Sequence, residues 1–314
     1  MMDWTDRHCR YLHRLLTKRA LLFTEMVTSP AVVHGRREQL LGYDPAEHPV
    51  ALQLGGSDPA ELAEATRIGA EFGYREINLN VGCPSDRVQS GRFGACLMAE
   101  PDLVAACVRA MREATDLPVT VKCRLGIDEQ DTEASLDRFA DAMVDAGTDA
   151  LYVHARKAWL KGLSPKENRT VPPLDYERVN RLAERLSPLP VMINGGIETL
   201  DEASGHLGHV AGVMLGRAAY REPMMLADVD ARFFGDAPRR LELADIMRDM
   251  AVYAEGRLAQ GARLNQITRH MLGLANGRPG ARSFRQILSL DAARRGAGPE
   301  VILRALEAVE PVTE

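Results

Sequence analysis

The feature that most constrains this chain is a rhythm. Seven short apolar runs, most ending in one or two polar residues, are separated by stretches with helical spacing. The runs are Leu21–Met26, Val50–Leu54, Glu76–Val81, Val119–Cys123, Ala150–His154, Val191–Asn194 and Gly212–Gly216. Between them Pro59–Phe72, Asp102–Ala114, Glu133–Ala146 and Tyr176–Leu186 set their apolar residues at helical intervals. Apolar strands alternating with amphipathic helices build right-handed parallel units around one sheet. Seven such strands within about 200 residues favour a TIM (β/α)8 barrel over an open sheet. The pattern at 3–19 sets Cys9, Leu12, Leu15 and Leu16 on one helical face, with Asp3 or Thr5 as N-cap. No strand precedes it, so the first strand of the barrel is expected to lie upstream of Met1.

A chain of 314 residues exceeds the ~250–300 at which one core stops growing, so a second body is expected. The break is placed at Phe234-Gly235-Asp236-Ala237-Pro238, giving a barrel over 1–235 and a small helical bundle over 236–314. Leu241–Ala259, Leu264–Leu274, Ala281–Leu290 and Glu300–Glu310 carry its helical spacing, the last opened by Pro299. No run approaches the ~18 apolar residues of a membrane span, and no charged-then-apolar leader comes first, so a cytoplasmic protein with no membrane partner is expected. The five cysteines, Cys9, Cys83, Cys96, Cys107 and Cys123, are odd in number and lack CxxC spacing. Reduced thiols and no metal site are the expectation.

Catalytic groups in such barrels come from the C-terminal ends of the strands. Those tips carry Glu25 and Met26; Gln53; Asn78, Asn80 and Cys83; Lys122 and Arg124; His154 and Arg156; Asn194-Gly195-Gly196; and Gly216-Arg217. One Asn or His at a strand end is more often a turn or structural residue, but five or more converging on one face invert those odds. Asn194-Gly195-Gly196-Ile197 and Leu215-Gly216-Arg217-Ala218 close successive strands, where backbone amides of such barrels meet phosphate. Cys83 sits in a Gly-Cys-Pro corner at a strand tip. Cys96 is its competitor and is placed in the following helix, in a supporting role, while Cys9 and Cys107 read as small core residues.

The runs MMDWTDRHCR, GCPSDRVQSGRFGACLM, PVTVKCRLGIDEQD, LYVHARKAWLKGLSPKENR, INGGI and MLGRAAY together resemble the tRNA-dihydrouridine synthase family, and the HARKAWLKGLSPKENR loop is similar to that of its A subfamily. The resemblance spans essentially the whole chain. It implies an FMN-binding barrel followed by a small helical domain, and reduction of the C5–C6 bond of uridine in the D-loop of tRNA, at positions 20 and 20a. On this resemblance hydride passes from reduced FMN to C6, Cys83 protonates C5, and NADPH (or NADH) re-reduces the flavin. The phosphate of FMN would lie at Gly195, Gly196, Gly216 and Arg217; Gln53 and Lys122 would meet the polar edge of its ring, and His154 and Asn194 would touch the cofactor too. Asn80 would orient the substrate. Family members usually open with a strand ending Ala-Pro-Met, and only Met1 and Met2 stand in its place here.

A base can leave a folded tRNA only if a basic surface holds the rest. The formal net charge is −5, so that surface must be local. One stretch surrounds Arg156, Lys157, Lys161, Lys166 and Arg169. The other, Gly256–Leu290, includes Arg257, Arg263, Arg269, Arg278, Arg282 and Arg285 and contains no Asp or Glu. Arg156, Lys166, Arg169, Arg278, Arg282 and Arg285 are the expected tRNA contacts, on a monomer. Three alternatives stay open: a flavin barrel acting on a free pyrimidine, a lyase using Lys122 as a Schiff base, and an RNA-binding protein without catalysis. The basic tail argues against the first, flavin absorbance would exclude the second, and the set Cys83, Lys122, His154 and Arg217 argues against the third.

Overall fold

The computed structural model describes residues 1–85 and 91–309. Residues 86–90 of the basic loop after Cys83, and Glu310 at the end of the last expected helix, lie outside the described residues.

All seven expected strands are present: β1 (Leu22–Thr28), β2 (Val50–Gly55), β3 (Glu76–Asn80), β4 (Val119–Arg124), β5 (Ala150–His154), β6 (Val191–Asn194) and β7 (Gly212–Met214). They pair in parallel in the order β1-β2-β3-β4-β5-β6-β7, as a curled TIM-barrel-like sheet. Helices Pro59–Glu71, Pro101–Glu113, Ala134–Asp145 and Tyr176–Leu186 fall within a residue of their expected bounds. The pleat explains why these strands read as apolar yet carry chemistry. Successive side chains alternate faces, so Ile77, Leu79, Val119, Val121, Leu151, Val153, Val191 and Ile193 are buried on one side. Glu76, Asn78, Asn80, Thr120, Lys122, Tyr152, His154 and Asn194 take the other.

The described chain forms two compact units. The first comprises Met1, Leu21–Tyr43 and His48–Gly216; the second takes Met2–Ala20, Asp44–Glu47 and the chain from Arg217 onward. The second unit therefore starts earlier than the expected break at 235/236 and recruits the first helix, Arg7–Leu16. The polar side of that helix does the recruiting. Arg10 Nε pairs with the buried Glu47 carboxylate at 2.8 Å, and Arg14 donates to the carbonyls of Glu47, Thr17 and Ala20. Thr17 donates to Asp230 at 2.5 Å, Tyr11 stacks on Tyr253 at 3.9 Å, and His8 Nδ1 meets the Tyr253 hydroxyl at 2.8 Å.

The N-cap is Asp6, not Asp3 or Thr5: its carboxylate accepts from the backbone N–H of His8 and Cys9 at 2.9 and 3.0 Å. Asp3 has φ +63, away from the extended backbone that a cap adopts. In the second unit Leu243–Ala259 is the long helix, while the helix from Leu264 stops at Thr268 and that from Ala281 passes at Ile287 into a π-helical turn. Pro299 caps Glu300–Glu307 rather than opening it. Among the described residues no helix is long and apolar enough to cross a membrane.

Candidate active site

Every group described first belongs to the first unit and lies at or just beyond a strand's C-terminal end. Cys83 follows β3 through the corner Val81-Gly82. Asn80, the last residue of β3, fixes that corner: its Oδ1 accepts from the backbone N–H of Gly82 at 3.1 Å and of Cys83 at 3.0 Å. The Cys83 carbonyl accepts from Ala95 N at 2.9 Å, and its half-buried thiol lies 3.7 Å from the Ser85 hydroxyl. Cys9, Cys107 and Cys123 are fully buried, and burial pushes all three thiols up, Cys107 and Cys123 to about 12. Cys96 lies in the 3-10 helix Gly94–Ala99, where its thiol donates to the Phe93 carbonyl at 3.2 Å. Burial raises its pKa as well.

Gln53 on β2 is joined to Asn80 by a bond of 2.7 Å from Asn80 Nδ2 to Gln53 Oε1. Lys122 on β4 reaches across to Asn194 on β6, donating from Nζ to Oδ1 at 3.2 Å. Asn194 Nδ2 donates to the Met214 carbonyl at 2.7 Å, which leaves the amide oxygen for the lysine. Burial, reinforced by the Arg124 guanidinium, pushes the Lys122 ammonium down to about 8. At neutral pH it remains mostly charged, a cation held where water solvates it poorly.

The Asn194-Gly195-Gly196 turn is built for close approach. Gly195 and Gly196 have φ of +114 and +73, a backbone that side chains make costly. A Cβ on Gly195 would come within 2.8 Å of His154 Cδ2, and one on Gly196 within 2.6 Å of Leu174 and 2.8 Å of the Tyr176 hydroxyl. Tyr176 in turn donates to the Gly195 carbonyl at 2.7 Å. His154 at the end of β5 is thus packed against the glycine turn. Met1 belongs to the same unit, with its sulfur 3.5 Å from the position of a Cβ on Gly216.

The loop after β5 carries the first basic stretch. Arg124, buried at the end of β4, donates to Gly82 O at 2.9 Å, Lys157 O at 3.1 Å and Asn168 O at 2.8 Å, so one guanidinium ties the Cys83 corner to that loop. Buried Asn168 closes the loop on itself, accepting from Trp159 N at 2.7 Å and donating to the Trp159 and Leu163 carbonyls. Arg156 donates to the carbonyls of Thr170 and Pro172, Arg169 to Pro165, and Lys166 is exposed.

Met2, Arg217, Arg278, Arg282 and Arg285 belong to the second unit. Met2 is 53% exposed, Arg217 opens the short helix Arg217–Arg221, and Arg278, Arg282 and Arg285 are exposed around Ala281–Gln286. Arg269 of the same stretch pairs with Asp6 at 2.6 Å, so part of the expected RNA face serves the fold. The sequence reading assigned nothing to Glu76, Thr120, Tyr152 or Asn168. The first three could have been found from the pleat, since each lies two residues before an expected tip residue on the same face of its strand. Asn168 had no such signal.

A solved 2-naphthoyl-CoA reductase complex shares the fold with a TM-score of 0.53 at 11% identity, covering 73% of this chain and 47% of that one. The tRNA-dihydrouridine(20/20a) synthase of Xanthomonas axonopodis pv. citri is 58% identical over 307 residues, 98% of this chain and 91% of that protein. Those of Vibrio parahaemolyticus and Synechocystis sp. are 55% and 54% identical, covering 98% of this chain and 94% and 92% of theirs. The family model "Dihydrouridine synthase (Dus)" matches residues 1–310, and the chain belongs to that family of flavin-dependent oxidoreductases, which reduce uridine in tRNA to dihydrouridine.

Proposed function

We propose that this chain reduces uridines 20 and 20a in the D-loop of tRNA, as a cytoplasmic monomer using bound FMN and NADPH as reductant. The observation that carries the reading is the convergence, within one unit, of a half-buried thiol after β3, a half-buried lysine on β4 whose ammonium reaches β6, and a side-chain-free turn after β6. This donor set fits a phosphorylated flavin: glycine backbone for the phosphate, and a cation with amides for the ring. When bound, FMN supplies the hydride that goes to C6 of the uracil.

Gly195, Gly196 and Gly216 would hold the phosphate end. Lys122 would present its positive charge to the ring edge, where a cation favours the electron-rich form of the cofactor. Gln53 and His154 would orient the ring, and Met1 of the same unit would add an apolar contact. Asn80 fixes the Cys83 corner and orients the base, and the Cys83 thiol gives its proton to C5. Arg156, Lys166, Arg169, Arg278, Arg282 and Arg285 bind phosphates of a tRNA whose target base has left its stack. The first unit would do the chemistry, and the exposed arginines of the second would bind tRNA.

Mass spectrometry of tRNA after incubation with protein, FMN and NADPH tests this. Dihydrouridine is expected at 20 and 20a, reduced by about 10² to 10⁴ in Cys83→Ala, the range for loss of a positioned proton donor. An undiminished rate in Cys83→Ala removes the thiol from the mechanism, and product at other positions removes the site assignment.

A further inference from the structure

Beneath the mouth of the barrel the polar side chains of β2, β3 and β4 are joined in one file. From the Asn80–Gln53 bond already described, Gln53 Nε2 donates to Asn78 Oδ1 at 2.9 Å and Asn78 Nδ2 donates to Thr120 Oγ1 at 2.8 Å. The Thr120 hydroxyl donates to Glu76 Oε1 at 2.5 Å, and Glu76 Oε2 accepts from the Tyr152 hydroxyl at 3.2 Å. Glu76, Asn78, Asn80, Thr120 and Tyr152 are all buried. The parallel register places Gln53 beside Asn78, Asn78 beside Thr120, and Lys122 beside Tyr152.

The direction of this file follows from its two ends. A backbone N–H can only donate, so Gly82 and Cys83 require the oxygen of Asn80 to face them, and its nitrogen must face Gln53. Gln53 must then present its oxygen to Asn80 and its nitrogen to Asn78, and Asn78 must do likewise toward Thr120. The one hydroxyl hydrogen of Thr120 is left for Glu76, which must accept it. Reversing any amide sets nitrogen against nitrogen or oxygen against oxygen. A file with donors at the top needs an acceptor at the bottom, and a buried carboxyl whose close partners are two hydroxyls supplies it. A buried carboxyl is costly to keep; burial raises its pKa while Thr120 and Tyr152 lower it.

We infer that Glu76, acting through Thr120, is a positioning residue for the reaction: it anchors from below the file whose direction the Gly82 and Cys83 N–H groups set from above, and so holds Asn78 and Gln53 in the place from which Gln53 offers its remaining atoms at the barrel mouth. The inference rests on the reading above, in which Gln53 meets the flavin and Asn80 the uridine. Gln53 has one further N–H on Nε2 and one further lone pair on Oε1, and the file decides where each lies. Without the acceptor below, Thr120 and Asn78 lose their lower anchor, and Gln53 is held in place from the Asn80 side alone.

The test is the FMN dissociation constant of the full chain, freed of flavin and titrated with FMN, for Thr120→Val, Gln53→Ala and the double variant. Thr120→Val removes both functions of the hydroxyl at nearly constant volume and is expected to weaken FMN about tenfold, the size of one lost buried hydrogen bond. Thr120→Ser should restore affinity to within about threefold of the parent. The double variant should bind no more weakly than Gln53→Ala alone, because Thr120 acts through Gln53; a general structural loss would add in full. Full additivity, or parental affinity in Thr120→Val beside a weakened Gln53→Ala, overturns the inference alone. Parental affinity in Gln53→Ala overturns the underlying reading and the inference with it. If Thr120→Val does not fold, Glu76→Leu removes the acceptor from the other end, with the same pattern expected against Gln53→Ala.

Discussion

Lys122→Met should make the flavin-free protein more stable and the enzyme inactive. The parent keeps an ammonium in the barrel interior, and its pKa falls from 10.5 to about 8 because burial, with Arg124 close by, disfavours the charge. At about 1.4 kcal/mol per tenfold change in proton affinity, that fall means roughly 3 kcal/mol of stability forgone at neutral pH. Partial access to solvent reduces this to about 2 kcal/mol, and Asn194 Oδ1 loses its 3.2 Å donor at about 0.5–1 kcal/mol. A net gain of about 1–2 kcal/mol remains, or about 2–3 °C in Tm for a chain of 314 residues. The sign depends on pH. Below about 8 the lysine is charged in both folded and unfolded states and the variant has its full advantage. Between about 8 and 10.5 the unfolded parent binds the extra proton, so the parent gains stability as pH rises, and above 10.5 the advantage is gone. Thermal unfolding of flavin-free parent and variant at pH 7 and pH 10 measures this, with dihydrouridine formation as the activity readout. A variant no more stable than the parent at pH 7, or an advantage that does not shrink at pH 10, refutes the electrostatic argument.

Gly195→Ala should reduce flavin retention and lower Tm, since φ +114 and the 2.8 Å approach to His154 leave no room for a Cβ; gel filtration with flavin absorbance reads the first, and unchanged retention would show that the turn is not the phosphate site. Arg10→Ala should cost about 3–5 kcal/mol by stranding the buried Glu47 carboxylate; equilibrium urea unfolding measures it, and a cost under about 1 kcal/mol would mean that the pair does not hold the first helix. Burial lowers His8 and His13 from 6.5 to about 4, so the unfolded chain takes up their protons first and stability should fall as pH drops from about 6.5 to 4. His13→Leu should flatten that slope in urea midpoints taken across the range, and an unaltered slope would assign the acid sensitivity to other groups.

What could be read in the sequence was what a periodic pattern records. The seven strands announced themselves because one face of each is continuously apolar and the tip is not, and the glycine pair stood out because few other residues accept that backbone. The first helix was harder. Arg10 and Arg14 look like a solvated face beside Leu12 and Leu16, and nothing local reveals that Glu47 and Asp230 wait for Arg10 and Thr17 far along the chain. The interior file was missed for a related reason. Glu76 and Thr120 sit at the start of strands, where attention to tips passes over them, and their meaning appears only once register sets Asn78 beside Thr120. Helix ends at Thr268 and Gln286 follow packing within the second unit, which overrides spacing.

The long-range ties of the first helix also set a timetable for synthesis. Asp6 is bonded to a residue 263 positions later and Thr17 to one 213 positions later. At about 5–20 residues per second, the ribosome needs roughly 10–50 s to deliver those partners after the helix has emerged. Throughout that interval Cys9, Leu12 and Leu16, fully buried in the finished protein, face solvent or whatever else binds them. The helix Arg7–Leu16 is thus among the last to find its place, and a chain cut short of residue 269 keeps that apolar face exposed.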